Sequence, residues 1–551
     1  MRKHLFCLAV AFSAVLLFAF PVLASEPAKA APSEEAHDIT KEVLLGLGPG
    51  VVNITTKDDI LMSFGALLRI IPTLEDKWDF GMSEKVPAFL GGPLSNQFFK
   101  THSNESGQVN NNYIRTESRL YFNALPKDRV WSFYAALEFD RPVETTTVDN
   151  RGGKTEGTAN FGLERLHGTF ALPYNVRLHA GWDVWGLDFG EAASMVYGDD
   201  NPGFWLTGVH GALDWSVGYF KLSENNFQTS PTFPSASKDA DRDLYAGYVN
   251  YKFSDAHRTR FFYAWDQIRS IPARDLLFAA SSGALGLSGG LPKADSHHIG
   301  AYYIGTFGAL ELFAEGVYQF GDVKNTTFTQ KDFDISAYAL AADVVLDLKN
   351  IVGFTFKPHL GVMYTTGDDD RADNKLKGYQ GIENAQRFSQ RWGGENTIIG
   401  DTNFVLGTAL YGYIPEFYGN GTPVFTGGLQ NLQGAGGGRG DNPGMTMVSL
   451  GLTAAPKKFI IYRTNVNNFR WNEDIRVQSF SAPFSATTVA SGNVGTEWDN
   501  ELTLALSKYA FIKGQASFFF PGTVIEKVTE ALGAKSDDTA MRLAMEFILN
   551  F

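Results

Sequence analysis

Residues 541–551, MRLAMEFILNF, alternate strictly between large apolar side chains and other residues. The apolar series continues to the last residue, Phe551, while Arg542, Glu546 and Asn550 are among the residues between. A period of two places alternate side chains on opposite faces of a β-strand. A terminal segment is ordered only where a sheet or a core holds it. The pattern therefore predicts a paired strand that runs to the end of the sequence.

The opposite end of the sequence indicates the compartment. Arg2 and Lys3 precede an apolar run over residues 5–20, and a small-residue motif ends at Ala24. This order is typical of a secretory signal peptide, and we place cleavage after Ala24, with the AKA motif at 28–30 as the alternative. A membrane anchor is the other interpretation, but the run is shorter than the ~20 residues of a spanning helix.

The composition excludes several classes of site. The only cysteine, Cys7, lies in the predicted signal peptide, so we expect no disulfide, covalent haem, iron–sulfur cluster or cysteine zinc site. We predict no cofactor and no metal. The formal net charge of −13 argues against a nucleic-acid partner, because such proteins usually present a basic face. Aromatic residues form 14% of the chain, which fits a large soluble β protein or an outer-membrane barrel.

The spacing of polar segments separates these two classes. Residues 113–140 contain two alternating strands joined by a tight polar connector. Further short connectors fall at 173–175, 212–214, 254–256, 307–309, 349–352, 455–457 and 508–509, and long polar segments at 81–111, 141–159, 186–202, 223–241, 269–294, 322–332, 366–443, 471–494 and 521–538. This alternation is typical of outer-membrane barrels, which have short periplasmic turns and long external loops. Counting the strands between the connectors predicts about eighteen.

A closed barrel accounts for the final strand, because its last strand pairs with its first and leaves no free edge. The first candidate is 62–75, MSFGALLRIIPTLE. We therefore predict an all-β, transmembrane, antiparallel up-and-down barrel over 61–551, in the outer membrane of a Gram-negative bacterium. Residues 1–24 would be the signal peptide, and 25–60, which lack alternation, a partly disordered periplasmic lead.

Two loops show patterns of their own. Residues 402–414, TNFVLGTALYGYI, could add a strand pair or fold inward as a constriction, so twenty strands is an open alternative. Residues 523–534, TVIEKVTEALGA, have apolar side chains at helical spacing and predict a short amphipathic helix.

The charged residues of the strands are predicted to face the lumen, because Arg or Lys on a lipid face costs ~2–4 kcal/mol at mid-bilayer. The predicted pore-lining residues are Arg69, Arg115, Glu117, Arg119, Arg165, Arg177, Arg258, Arg260, Arg463, Glu497, Asp499, Glu501 and Arg542. One interpretation is a selectivity path in which basic residues attract anions. The alternative is that mixed charges brace the interior through ion pairs. Arg115 with Arg119, and Arg258 with Arg260, are the strongest candidates.

Several motif-like strings lack the context that their chemistry needs. GLSGG at 286–290 has the spacing of a hydrolase nucleophile elbow but lies in a polar loop. GAGGGRGD at 434–441 lacks the lysine of a phosphate-binding loop. The acidic run at 368–370 with Asp373 does not match the spacing of a calcium loop. His297 and His298 are adjacent, so on a strand they face opposite ways. We predict no enzymatic activity.

Near the end of the chain, residues 494–522 read VGTEWDNELTLALSKYAFIKGQASFFFPG. The Gly-Thr-Glu-x-Asp opening and the closing Gly-x-x-x-Phe-Phe-x-Pro-Gly resemble the C-terminal region of the alginate-export family of outer-membrane proteins. The resemblance implies an eighteen-stranded monomeric barrel that passes an anionic polysaccharide through an arginine-lined constriction. The terminal aromatic, Phe551, resembles the signal by which barrel-assembly machinery recognises its clients.

The leading functional hypothesis is a passive outer-membrane channel for small solutes or an anionic polysaccharide. The alternative is a structural sleeve around a periplasmic partner such as a multihaem cytochrome. Because the chain has no C-x-x-C-H motif, any haem would belong to that partner.

Overall fold

The structure is a computed structural model. It describes residues 52–57, 59–77, 80–81, 111–143, 162–188, 195–223, 241–269, 293–324, 332–370, 373–379, 381–384, 392–393, 443–478, 486–531 and 535–551. Several predicted features lie outside these residues. They are the signal peptide at 1–24, the GLSGG string at 286–290, the additional strand pair or constriction at 402–414 and the GAGGGRGD string at 434–441.

Eighteen strands of the described residues form one closed antiparallel sheet, so the predicted barrel is confirmed. In chain order they are β2 (Ile60–Asp76), β3 (Asn111–Pro126), β4 (Trp131–Val143), β5 (Gly162–Leu172), β6 (Val176–Trp182), β9 (Pro202–His210), β10 (Leu213–Ser223), β11 (Arg242–Ser254), β12 (His257–Ile268), β13 (Lys293–Phe307), β14 (Leu310–Lys324), β15 (Phe333–Leu346), β16 (Thr355–Thr365), β19 (Met445–Lys457), β20 (Ile460–Trp471), β23 (Gly492–Ala505), β24 (Ala510–Pro521) and β25 (Ala540–Asn550).

Shorter elements complete the described fold. They are β1 (Val52–Thr55), β7 (Trp185–Gly186), β8 (Tyr197–Asp199), β17 (Lys375–Leu376), β18 (Glu383–Asn384), β21 (Ile475–Gln478), β22 (Ala486–Val489), and the helices α1 (Lys349–Val352) and α2 (Thr523–Ala531). Helix α2 confirms the predicted amphipathic segment, with Val524, Ile525 and Val528 buried. Within the described part of the chain, no helix is long and apolar enough to cross a membrane.

Short connections join consecutive strands at one end of the barrel, which we call the turn end, and long connections at the other, the loop end. Two residues, Gly308 and Ala309, join β13 to β14, and 173–175 join β5 to β6, close to the predicted connectors. The β19–β20 turn falls at 458–459, slightly later than predicted, because β19 continues through a register shift near Lys457.

The seam of the barrel joins β25 to β2. The pairing runs from Met541 opposite Asp76 to Asn550 opposite Leu67, and Phe551 exchanges two backbone hydrogen bonds with Ala66, at 2.7 and 2.9 Å. The short strand β1 then pairs with the lower part of β2. β1 therefore pairs with the same edge of β2 as β25 does, beyond the point where β25 ends. The sheet thus includes Val52–Thr55, which belong to the stretch 25–60 that was predicted to be a partly disordered periplasmic segment.

Side chains alternate between the two faces of the wall. On β25, Met545, Phe547 and Leu549 are exposed, whereas Arg542 and Glu546 are buried inside the barrel. Large exposed apolar residues recur at alternate positions on the other strands. The outward face is therefore apolar, and the charged side chains of the spanning strands mostly face inward.

An aromatic row crosses the outward face near the loop end. Tyr219, Tyr245, Trp265, His297 and Phe320 lie in register on β10 to β14, with neighbouring ring centroids 5.0–5.8 Å apart. The next outward row is polar and consists of Lys221, Asp243, Gln267, Asp295, Asp322 and Asp334. The outward surface therefore changes sharply from aromatic to charged at one level.

Candidate functional site

An ionic belt lines the inner wall from β20 to the end of β6. Its members, in order around the barrel, are Arg463, Glu501, Lys513, Glu546, Arg69, Glu117, Arg119, Glu138, Glu164, Arg165 and Asp183. Successive opposite charges approach to between 2.6 and 3.8 Å. Lys513 and Arg69 thus each lie between carboxylates of the two neighbouring strands.

The centre of the belt is Arg69, at the seam. Its Nη1 donates to Glu117 at 2.6 Å and its Nη2 to Glu546 at 3.0 Å. Arg119 in turn donates through Nε to Glu138 at 2.6 Å, and its Nη2 lies 3.2 Å from Glu164. Since these groups are largely withdrawn from water, removal of one partner would leave a poorly compensated charge.

A β-bulge places two consecutive charges on the lumen side. The register between β4 and β5 shifts at Ala136 and Leu137, which pair with Arg165 and Leu163 and leave Glu164 without a partner position. One extra residue in a strand resets the alternation of its side chains. Glu164 and Arg165 can therefore both contact Arg119 or its neighbours, although simple alternation would separate them.

The structure places the predicted residues as follows: Arg69, Arg115, Glu117, Arg119, Arg165, Glu497, Asp499 and Arg542 are buried on the inward face, Arg177, Arg260, Arg463 and Glu501 are partly buried there, and Arg258 is exposed at the turn end. The belt residues form ion pairs with one another, and both interpretations of them, as braces of the interior and as the lining of a conducting path, stay predictions. The belt also contains Glu138 and Glu164, which were not among the predicted residues. Alternation with the outward-facing Leu137 identifies Glu138 as inward, whereas the β-bulge hides Glu164.

A second polar row lies closer to the loop end. Tyr113 donates to Glu75 at 2.9 Å, and Arg542 lies 4.0 Å from the same carboxylate. Farther along the row, Asn467 donates to Asp499 at 3.2 Å. The predicted residues Arg542 and Asp499 therefore belong to this row and not to the ionic belt.

Several hydrogen-bond donors converge on the small side chain of Ala136. Tyr121 and Arg165 are its pairing partners on the adjacent strands. Arg119 precedes Tyr121 by two residues on β3, and Tyr134 precedes Ala136 by two residues on β4. The phenol oxygens of Tyr121 and Tyr134, Nη1 of Arg119 and Nε of Arg165 are buried with no hydrogen-bond acceptor among the described residues. We call these four residues the donor cluster. Buried donors of this kind are usually matched by water or another acceptor.

Two connections from the loop end fold against the inner wall. One contains β7 and β8, the other contains β18, and the three strands form a small separate sheet. Their buried apolar residues are Trp185, Leu187, Met195, Val196, Tyr197, Tyr379, Ile382 and Trp392. These pack in one core with inward wall residues such as Phe220, whose ring centroid lies 4.7 Å from that of Trp185. The inner wall is therefore divided into an ionic part and an apolar part covered by inward segments.

Polar wall residues hold these inward segments by their backbones. Arg260 donates to the carbonyl of Leu187 at 2.6 Å, and Arg242, which also pairs with Asp266, donates to the carbonyl of Ile382 at 3.0 Å. Predicted as a pore residue, Arg260 thus anchors an inward segment. Its guanidinium also stacks 3.9 Å above the Tyr248 ring.

Trp392 is fitted over a glycine of the wall. A Cβ on Gly361 would lie 2.5 Å from the indole Nε1, so only glycine leaves the indole this space. The Trp392 carbonyl accepts a hydrogen bond from Asn467 at 2.8 Å. No pattern in the sequence indicates this contact, because Trp392 lies in a long polar connection.

One buried carboxyl group organises the inward segment that contains β8. Asp188 accepts hydrogen bonds from the backbone N–H groups of Val196 at 2.8 Å and Tyr197 at 3.1 Å. Burial raises the pKa of Asp188 to about 6, although these hydrogen bonds act in the opposite direction. Its protonation therefore changes within an ordinary experimental pH range.

The remaining candidate ligands have other partners. In the acidic run, Asp370 N–H donates to Asp368 at 3.2 Å, and Lys377 pairs with Asp369 and Asp373. His298 is buried inside, whereas His297 faces outward within 2.8 Å of the Tyr263 hydroxyl, as predicted for adjacent strand residues. Among the described residues, no three His, Cys, Asp or Glu side chains are arranged to hold a metal ion.

Comparison with known proteins gives structural neighbours but no family. No protein-family model matches the sequence, and no curated protein is detectably similar. Solved structures with a similar arrangement include a BenF-like porin from Pseudomonas fluorescens Pf-5, with 11% identity and a TM-score of 0.47 over 90% of this chain and 100% of the porin. OpdK from Pseudomonas aeruginosa (10%, 0.44, covering 89% and 98%) and OccAB1 from Acinetobacter baumannii (10%, 0.44, covering 92% and 99%) are also similar. Similarity at this level assigns neither a family nor a substrate to this chain.

Proposed function

We propose that this protein is an outer-membrane channel that passes small solutes passively. The observation that carries the proposal is the reversed polarity of the closed barrel, apolar outside and charged inside. A closed sheet satisfies its backbone hydrogen bonds without water, which permits it to cross a lipid layer. The ionic belt would then supply a polar surface along the route.

The outward face supports the membrane location. Trp265 belongs to the aromatic row near the loop end, and His257 packs on Phe307 near the turn end, with ring centroids 4.7 Å apart. The eight-residue separation of Trp265 and His257 corresponds to roughly 27 Å along a strand, which is about 20 Å in height at a strand tilt of roughly 40°. Aromatic residues flank an apolar band about 25 Å tall in outer-membrane barrels.

The donor cluster favours a solute with an anionic group. Arg119 and Arg165 already pair with carboxylates, so their net attraction for an anion is reduced. Yet Nη1 of Arg119, Nε of Arg165 and the phenols of Tyr121 and Tyr134 remain donors without acceptors among the described residues. A solute carboxylate that displaces the side chains covering these buried atoms would accept from such a set. We therefore propose moderate anion preference.

The inward segments favour small solutes over a polymer, because residues of two connections pack against the wall from β9 to β20. The alginate-export resemblance implies a more specific hypothesis, in which the transported solute is an anionic polysaccharide. Monomeric uronate should pass if the channel is small-solute selective, whereas blocking only by long uronate chains would favour the polymer.

Single-channel recording in a planar bilayer tests the proposal. We expect ohmic conductance and, in a salt gradient, a reversal potential that indicates anion preference. Arg165→Gln should reduce that preference, whereas Arg470→Gln, which removes the same charge from an exposed position, should not. A silent barrel would overturn the channel, and co-purification of a haem protein with it would favour the sleeve.

A further inference from the structure

Three neighbouring connections at the turn end combine a lysine with a large exposed apolar residue. They are 349–352, 457–459 and 506–508, and we call them the basic–apolar arc. Lys349 accompanies Ile351 (79% exposed), Lys458 accompanies Phe459 (54%), and Lys508 accompanies Leu506 (65%). They connect β15 to β16, β19 to β20 and β23 to β24, which follow one another around the barrel. The arc is thus one continuous part of the rim.

In the described part of the chain, three lysines of the arc, Lys457, Lys458 and Lys508, lack the carboxylate partners found elsewhere on the rim, whereas Lys349 interacts with Asp347 of its own connection. Lys127 lies 3.4 Å from Asp59 and Lys252 lies 2.7 Å from Asp255. In contrast, Lys457, Lys458 and Lys508 form no ion pair within the residues that the structure describes, and Lys508 instead lies 4.6 Å from the Tyr509 ring centroid. These three lysines therefore carry uncompensated positive charge in a chain whose formal net charge is −13.

Two other connections at the turn end have the opposite character. The tips of the β9–β10 and β13–β14 connections are Gly211–Ala212 and Gly308–Ala309, and a Cβ on either glycine would meet nothing within 4 Å. These tips offer neither charge nor a large apolar side chain. The combination in the arc therefore does not follow from the general requirement for short turns. Where it recurs, as with Lys252 and the exposed Phe253, the lysine is paired with a carboxylate.

The arc continues into the apolar outer wall. Leu346, Leu360, Leu450 and Leu502 are exposed on the outward faces of the strands that the arc connects. A molecule seated here would contact an apolar wall and an ammonium group together. A soluble acidic protein would have access to the lysines but not, in a membrane, to that wall.

We propose that the basic–apolar arc binds anionic phospholipid at the surface of the facing leaflet. This inference rests on the proposed membrane location. The acyl chains lie along the leucines, the apolar tips sit in the interfacial region, and the flexible lysine side chains reach the phosphate. A basic residue near an anionic bilayer favours it roughly five-fold in general, so several lysines together discriminate measurably between anionic and zwitterionic lipid.

The test uses the full-length barrel in bilayers that contain phosphatidylethanolamine with phosphatidylglycerol. Spin-labelled lipids report the fraction immobilised at the protein surface, and their ratio gives the selectivity. We expect several-fold enrichment of phosphatidylglycerol, weakened by salt, and a several-fold loss in the triple variant K457Q/K458Q/K508Q. The matched variant K127Q/K252Q/K324Q removes three ion-paired lysines, of which Lys324 lies 3.0 Å from Asp322 at the loop end, and should keep the enrichment.

The outcomes separate this inference from the proposed function. Equal selectivity in the wild type and the triple variant, or an equal loss in both triple variants, would overturn the lipid site. Loss of binding to soluble polyglutamate in the triple variant, with lipid selectivity unchanged, would overturn it in favour of an acidic protein. Single-channel conductance is measured in parallel: a barrel that inserts and enriches the lipid but is silent refutes only the channel.

Discussion

Nη2 of Arg69 on β2 lies 3.0 Å from the carboxylate of Glu546 on β25, so an ion pair joins the first and last spanning strands of the barrel. The same guanidinium contacts Glu117 on β3 at 2.6 Å. All three side chains are buried. Backbone pairing and side-chain charge therefore close the seam together, at the one place where the chain itself is discontinuous.

Replacing Arg69 with Met should destabilise the barrel strongly, because Glu117 and Glu546 would each lose a short buried contact and keep a longer one, to Arg119 at 3.3 Å and to Lys513 at 3.5 Å respectively. Breaking a buried pair from one side costs about 3 kcal/mol or more. Urea unfolding in detergent micelles measures the free energy of unfolding. Lys127→Met is the matched control, since its pair with Asp59 is exposed and such pairs contribute less than about 1 kcal/mol. Equal effects would refute the role assigned to the seam.

Deleting Phe551 should impair assembly more than conductance. The residue supplies both backbone hydrogen bonds to Ala66 and an exposed aromatic side chain at the rim. The amount of heat-modifiable, folded protein in isolated membranes reports assembly. Phe551→Ala retains the backbone pairing and separates the two contributions. Normal amounts of folded protein with an altered conductance would show that Phe551 has a different role.

Gly361→Ala should displace Trp392 from the inner wall. The new Cβ would come within 2.5 Å of the indole, and the side chain must move because the other contacts of Gly361 are part of the sheet. We expect a blue- or red-shifted tryptophan emission and an altered single-channel conductance. Gly514→Ala, where a Cβ meets nothing within 4 Å, is the control. An unchanged conductance in Gly361→Ala would separate Trp392 from the conducting route.

The inward segment held by Asp188 should become less protected as the pH rises from about 4 to about 6. Because its pKa is raised from 3.8 to about 6 in the folded state, the arrangement is favoured by protonation, and this contribution is lost as the pH rises through the folded-state value. Hydrogen exchange at the amides of Val196 and Tyr197, corrected for intrinsic rates, measures the change. Asp188→Asn should remove the pH dependence. A wild-type protection factor that rises with pH would contradict the assignment.

The barrel was predictable because each spanning strand repeats one simple pattern. The outward positions of β25, such as Phe547, follow from alternation alone, and pairing of the last strand with the first follows from closure. Most predicted inward charges, including Arg69 and Arg542, face the lumen for the same reason. Alternation reports the face of a residue, however, and not its partner.

Features that break the local pattern were not predictable. The bulge brings Glu164 beside Arg165, since one additional residue shifts the register without an obvious sequence signature. Tyr197 and Trp392 are fully buried, although both lie in long connections that look polar overall. Arg260 was expected to face solutes but binds the backbone of Leu187, because its partner comes from a distant segment.

The two ends of the described barrel occupy consecutive positions of one column in the sheet. Phe551 faces Ala66, and Val52 faces Phe64 two residues farther along β2, which is a separation of roughly 7 Å. The strand pairings of the described barrel therefore form a closed ring, and the chain itself is interrupted between Phe551 and Val52. A circular permutant in which a residue or two joins Phe551 to Val52, and which is opened instead between Gly308 and Ala309, would retain every strand pairing. The ring of pairings does not record which strand was synthesised first.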